Sequence, residues 1–234
     1  APAPVVTAFR MMPFKPSFQD LPNVLPIFPL PGALLLPGRQ LPLNIFEPRY
    51  LAMVSAALAG QRLIGMVQPL PQEGEGEGKD VGALPVFGTG CAGRITAFGE
   101  TEDGRYLITL TGLLRFKIVE ELPLLEGYRR VRPDWSAYRG DLEEEGKEPS
   151  ANWDRSRLLE ALRNYFAATG LQGDWEAIRS ASDSELVSSL AMLCPFDVRE
   201  KQALLEAPTL DERAETMIAL LEMASLEQGE GLRH

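Results

Sequence analysis

Apolar residues in this chain recur with a period near two over the first half and with a period near 3.6 over the last third, and the change occurs once. Residues 24–30, 40–46, 63–67, 86–98, 106–110, 113–121 and 128–132 are short runs rich in β-branched and aromatic residues, bounded by Gly and Pro. Each is expected to be a strand. Glu102-Asp103-Gly104 lies between two of them and has hairpin form, because glycine tolerates the positive φ such turns require. One helix interrupts the series over 48–59, with Leu51, Val54 and Leu58 on one face, Pro48 in the first turn and Gly60 at the C-cap.

After residue 150 the apolar stripes are helical: Leu158, Leu159, Leu162, Tyr165 and Phe166, then Leu186, Val187, Leu190 and Leu193. Ser182-x-x-Glu185 and Thr209-x-x-Glu212 have the form of capping boxes. Pro195 ends one helix, a short one follows over 197–206, and a last begins at Leu210. Strands first and helices second predict an α+β fold with segregated layers. The segment YRGDLEEEGKEPS over 138–150, with five carboxylates, two glycines and a proline, is expected to link them. The stretch 69–82, in which Glu73, Glu75 and Glu77 alternate with glycines, is expected to be a loop within the first half. These boundaries predict a leader over 1–21, a β-rich unit over 22–137, the linker over 138–150, a helical unit over 151–228 and a tail over 229–234.

Several functions are disfavoured on composition. The net charge is −10, concentrated in the last third, which holds 15 acidic and 8 basic residues. Such a surface repels phosphate backbones and anionic membranes. No run approaches the roughly 18 apolar residues of a membrane span. Cys91 and Cys194 fit no metal or disulfide spacing, so a reducing compartment, the cytoplasm, is expected and no metal or cofactor is implied. The single histidine is the final residue, His234, which leaves Cys91 without a base and argues against a triad hydrolase. Neither Gly78-Lys79-Asp80 nor Gly146-Lys147-Glu148 has the form of a P-loop.

The most unusual segment is LPIFPLPGALLLPGRQLPLNIFEPRY over 25–50, whose six prolines restrict its strands to short, bulged or edge positions. Its pattern, Pro26-Ile27-Phe28-Pro29-Leu30, Leu36-Pro37-Gly38 and Leu41-Pro42-Leu43-x-Ile45-Phe46-Glu47-x-Arg49-Tyr50, resembles the opening signature of the Lon substrate-binding domain family. Gly88-Thr89-Gly90-Cys91-Ala92-Gly93-Arg94-Ile95, Thr111-Gly112-x-x-Arg115-Phe116-x-Ile118 and the tail motifs Glu200-Lys201-Gln202 and Asp211-Glu212-Arg213-Ala214 extend the likeness over about residues 22–226. The resemblance implies a PUA-like β pseudobarrel followed by a carboxyl-terminal helical bundle. It also implies a role in engaging protein substrates, without the ATPase and Ser-Lys protease modules of Lon proteases.

The function expected is therefore recognition without catalysis, of unfolded or extended polypeptides or of a partner protein. Six residues are candidates for the contact. Leu34, Leu35 and Leu36 are consecutive, so in an extended segment at least one points away from the core and can grip an apolar client; burial under the helical tail or in a dimer contact is the alternative. Glu47, Arg49 and Tyr50 sit where strand turns into helix. They either cap and brace that helix or line a peptide groove. Arg129, Arg130 and Arg132 are the best case for the alternative of an RNA-binding adaptor, but Glu120, Glu121, Glu126 and Asp134 stand beside them. A third reading is an unrecognised hydrolase using Cys91.

Overall fold

The computed structural model describes residues 16–71, 84–142 and 152–231. The leader as far as residue 15, the glycine and glutamate loop from 72, the linker from 143 and the tail from 232 lie outside the described residues.

A 20-residue strand, β5 (Tyr106–Leu125), organises the sheet. Along one edge it pairs with β4 (Thr89–Glu100). Along the other, its first half pairs with β2 (Gln40–Ile45) and its second half with β6 (Tyr128–Asp134). β1 (Leu25–Pro29) pairs antiparallel with β6 and parallel with β3 (Leu63–Val67), which pairs in turn with β4. The ring β5-β4-β3-β1-β6 therefore closes, and β2 is attached to its outside edge. Closure removes the open edges of a flat sheet. Sequence reasoning expects two strands, 106–110 and 113–121, separated at Thr111-Gly112; the structure has one, because Gly112 serves a close approach and not a turn. A Cβ there would lie 2.1 Å from the carbonyl oxygen of Leu36, which crosses directly over it.

The barrel interior is filled by Phe116, packed with Leu25, Ile27, Leu63, Val67, Leu114 and Val131. A Cβ on Gly65 or Gly90 would come within 2.7 or 2.8 Å of the Phe116 ring, so one glycine from β3 and one from β4 make room for that aromatic.

Helix α1 (Pro48–Ala59) has the predicted bounds, with Pro48 in its first turn, and buries Tyr50, Met53, Val54 and Ala57. Its buried stripe is thus turned by one position from the expected Leu51, Val54 and Leu58, which brings Tyr50 against Phe28 of β1 at 4.3 Å between ring centroids.

The remaining helices are α2 (Arg155–Thr169), α3 (Trp175–Ser180), α4 (Asp183–Leu193), α5 (Val198–Glu206) and α6 (Leu210–Gly231). Each of α2 to α5 begins on an Asp or Ser whose side chain accepts amide hydrogens of the first turn. The complete reciprocal box is at Asp197 and Glu200. The helices dock on the barrel, since one continuous apolar cluster joins Leu34–Leu36 and α1 to Leu158, Leu162, Val187, Leu204 and Leu221. Among the described residues no helix is long and apolar enough to cross a membrane.

Candidate functional site

Leu34, Leu35 and Leu36 are 3%, 1% and 0% exposed, so the expected apolar grip on this segment is corrected to burial. The physical reason is that the segment is not a strand with two alternating faces. Glycines with positive φ at Gly32 (74°) and Gly38 (73°) bound it, and it threads between barrel and helices. Lys201 of α5 donates to Gly32 O at 2.7 Å, and Gln68 holds Gly32 N and Ala33 O at 3.0 Å each. All three side chains consequently find apolar surface on one side or the other.

Glu47 occupies the N-cap of α1, but its carboxylate makes no capping hydrogen bond. It accepts from Arg49 Nη2 at 2.7 Å and Nε at 3.0 Å. The Arg49 guanidinium lies 4.7 Å from the centroid of the Tyr50 ring, whose other surroundings are core. The three residues are therefore brought together, as a brace of the strand-to-helix turn. A Cβ built on Gly127, at the tip of the β5–β6 hairpin, would lie 3.3 Å from Arg49 Cβ, so the hairpin tip abuts the same turn.

The basic run on β6 is not a free positive patch. Arg129 is buried and donates to both oxygens of Glu121, at 2.6 and 2.8 Å, and to Leu84 O. Arg132 pairs with Glu120 at 3.3 Å. Paired in this way, the two offer little net charge to a phosphate backbone. The cysteines are packed thiols. Burial drives Cys91 far above its ordinary value, and burial, partly offset by Lys201, pushes Cys194 up to about 11. Neither is poised as a thiolate nucleophile at neutral pH.

The strongest buried polar cluster pairs Arg115 with Asp141, a contact the sequence does not predict. Arg115 of β5 grips Asp141 through Nε at 2.9 Å and Nη2 at 2.7 Å, and donates through Nη1 to Leu205 O and Ala207 O at the carboxyl end of α5. Tyr138 stacks beneath the guanidinium, 4.3 Å from its carbon. The first part of the expected linker is thus ordered 3-10 structure, Ser136–Leu142, committed to this clamp. A signal was present: Arg115 stands inside the apolar run Leu113, Leu114, Phe116. Every donor of the clamp is occupied, so its role is architectural.

An apolar groove of about 320 Å³ lies elsewhere, between α1 and the outer face of β1 and β6. Strand register puts Pro26, Arg130 and Leu122 side by side, and Tyr128 beside Leu125. Ala56 and Ala57 of α1 form the facing wall. The wall is low because alanine ends at Cβ, and the lining includes exposed apolar residues: Val24 and Leu125 are 40% and 41% exposed. Phe46, at 61%, stands just before α1.

The family model of the ATP-dependent protease La (LON) substrate-binding domain matches residues 24–223, spanning the barrel and the helices into α6. The chain belongs to this family. Among Lon proteases, that of Anaeromyxobacter dehalogenans is 27% identical over 207 residues, covering 87% of this chain and 23% of the relative. That of Flavobacterium johnsoniae is 29% identical over 199 residues, covering 84% and 23%. The chain spans about a quarter of the length of these curated relatives. The crystal structure of a Lon N-terminal domain protein from Xanthomonas campestris superimposes with a TM-score of 0.57 at 21% identity, over 84% of this chain and 97% of that one. The N-terminal domain of Mycobacterium avium complex Lon protease gives 0.54 at 17%, over 85% and 97%. At those identities the likeness is one of fold. Membership in the Lon substrate-binding family agrees with the resemblance of the proline-rich opening segment, now seen to form β1, the buried crossing at Leu34–Leu36, β2 and the start of α1.

Proposed function

We propose that this chain is a recognition module that holds polypeptide segments at the groove between α1 and the β1/β6 face, and performs no chemistry on them. The observation that carries this reading is the exposed apolar pair Val24 and Leu125 lining a groove floored by Pro26 and walled by Ala56. Unfolded chains expose side chains of the same character, and burying them there removes apolar surface from water on both sides. The family's description as substrate-binding points the same way.

A groove contact is favoured over strand addition at β2, which ends the sheet order. Gly112 N donates to Arg39 O, so by alternation the odd-numbered residues of β2 bond to β5 while Gln40, Pro42 and Asn44 face the open edge. Pro42 has no N–H to offer an added strand.

Fluorescence anisotropy with reduced, carboxymethylated lactalbumin, a permanently unfolded protein, tests the reading against native lactalbumin. Binding of the unfolded form alone, weakened by Leu125→Asp, is expected. Equal binding of both forms, or no effect of Leu125→Asp, would refute it.

A further inference from the structure

The groove between α1 and the β1/β6 face has one charged lining residue, Arg130, set among Pro26, Ala56, Leu125 and Tyr128. Its neighbours on β6 are both neutralised: Arg129 by Glu121 and Arg132 by Glu120. Arg130 has no carboxylate within ion-pair distance among the described residues. Its one hydrogen bond is from Nη2 to Pro123 O at 3.0 Å, and its Nε is shut off from water with no acceptor at all. In a chain of net charge −10, a cation left unpaired beside an apolar groove lacks a complement that the rest of the molecule has in excess. A guanidinium in this setting is suited to a bidentate carboxylate, and it gains most from one where water is displaced.

We infer that the groove takes the carboxyl terminus of a polypeptide with apolar final residues, whose α-carboxylate pairs with Arg130 while its last side chains lie against Pro26, Ala56 and Leu125. The assignment rests on the recognition role proposed above and names the class of ligand. The small volume argues for a chain end over an acidic residue within a continuing segment. About 320 Å³ is near the lower limit of ligand pockets, enough for two or three residues. Only a terminal residue places a carboxylate on the same unit as the apolar side chain that fills the floor.

The test is anisotropy of a labelled Gly/Ser decapeptide ending in Leu-Val, as free acid and as amide, and of a third peptide in which Leu-Val-Asp is internal. The free acid is expected to bind roughly tenfold more tightly than either of the others, a charge-assisted bidentate contact being worth about that much. Arg130→Met should bring the acid down to the affinity of the amide, and Arg130→Lys should restore part of the difference. Equal affinity of acid and amide for the wild-type chain overturns the inference without any variant, and so does an internal Asp peptide that binds as well as the acid. Ala56→Trp separates the two levels of the argument. If it blocks acid and amide that bind equally, recognition at the groove stands and the carboxylate falls; if it blocks neither, both fall.

Discussion

Replacing Arg115 with methionine removes the guanidinium but keeps most of the aliphatic volume, so the loss is almost entirely polar. Arg115 and Asp141 have side chains only 5% and 6% exposed, and the pair is bidentate. Burial alone would lower the affinity of Arg115 for its proton, yet Asp141 raises it overall, which marks the pair as coupled in its favour. The substitution strands a buried carboxylate and leaves Leu205 O and Ala207 O without the donors that reach them at 3.0 and 2.6 Å. Removing one partner of such a pair costs about 3–5 kcal/mol. For a chain of this size that corresponds to a fall in Tm of roughly 6–20 °C. Calorimetry and urea unfolding read it directly. In the double variant Arg115→Met with Asp141→Leu the stranded charge is gone, and part of the loss should return. A single-variant loss below about 1 kcal/mol, the range of exposed pairs, would refute the claim that this clamp ties β5 to α5.

Leu35→Ala empties a site that is 1% exposed, and should cost about 2–5 kcal/mol in urea unfolding, whereas Leu124→Ala, at a position 62% exposed, should stay within about 0.5 kcal/mol. Arg49→Ala releases Glu47 and the turn before α1, and thermal melting should show a loss of about 1 kcal/mol, because the pair is partly exposed, with client binding weakened only to the extent that the hairpin tip moves. Cys194 retains its proton in the native chain up to about 11, while the unfolded thiol loses it near 9.0. Between those values the unfolded state binds fewer protons, so this group's contribution to stability falls as pH rises, by up to about 1.4 kcal/mol per pH unit. Lys201, whose proton burial weakens, acts in the opposite direction, so the test is the difference between wild type and Cys194→Ser across that window.

Local signals were legible where one rule governed the chain. Pro48 and Gly60 bounded α1, and β3 is a fully buried apolar run that its one glycine, Gly65, does not interrupt. Glycine misled where it served packing: Gly112 reads as a turn but lies in the middle of a strand under Leu36. Three consecutive leucines read as partly exposed because alternation was assumed, while the chain there runs between two layers and is buried by both. The groove was not legible at all. Its residues come from 22–26, 56–63 and 125–130, and only the closure of β1 on β6 and the docking of α1 bring them together. Alternation does place Val24 with Pro26, and Tyr128 with Arg130, on one side of each strand, but it does not say that those sides adjoin. The candidate residues Glu47, Arg49 and Tyr50 were found next to this region because the hairpin tip at Gly127 meets their turn.

Ala56 is exposed on α1 and faces the groove, so a tryptophan there fills the space without entering the core. Affinity of the unfolded lactalbumin probe for Ala56→Trp, measured beside its melting temperature, tests recognition at the groove most directly. The account predicts unchanged melting and binding weakened by about tenfold or more, since the apolar area of two or three client residues loses its seat. Unchanged binding to a folded Ala56→Trp chain would contradict it.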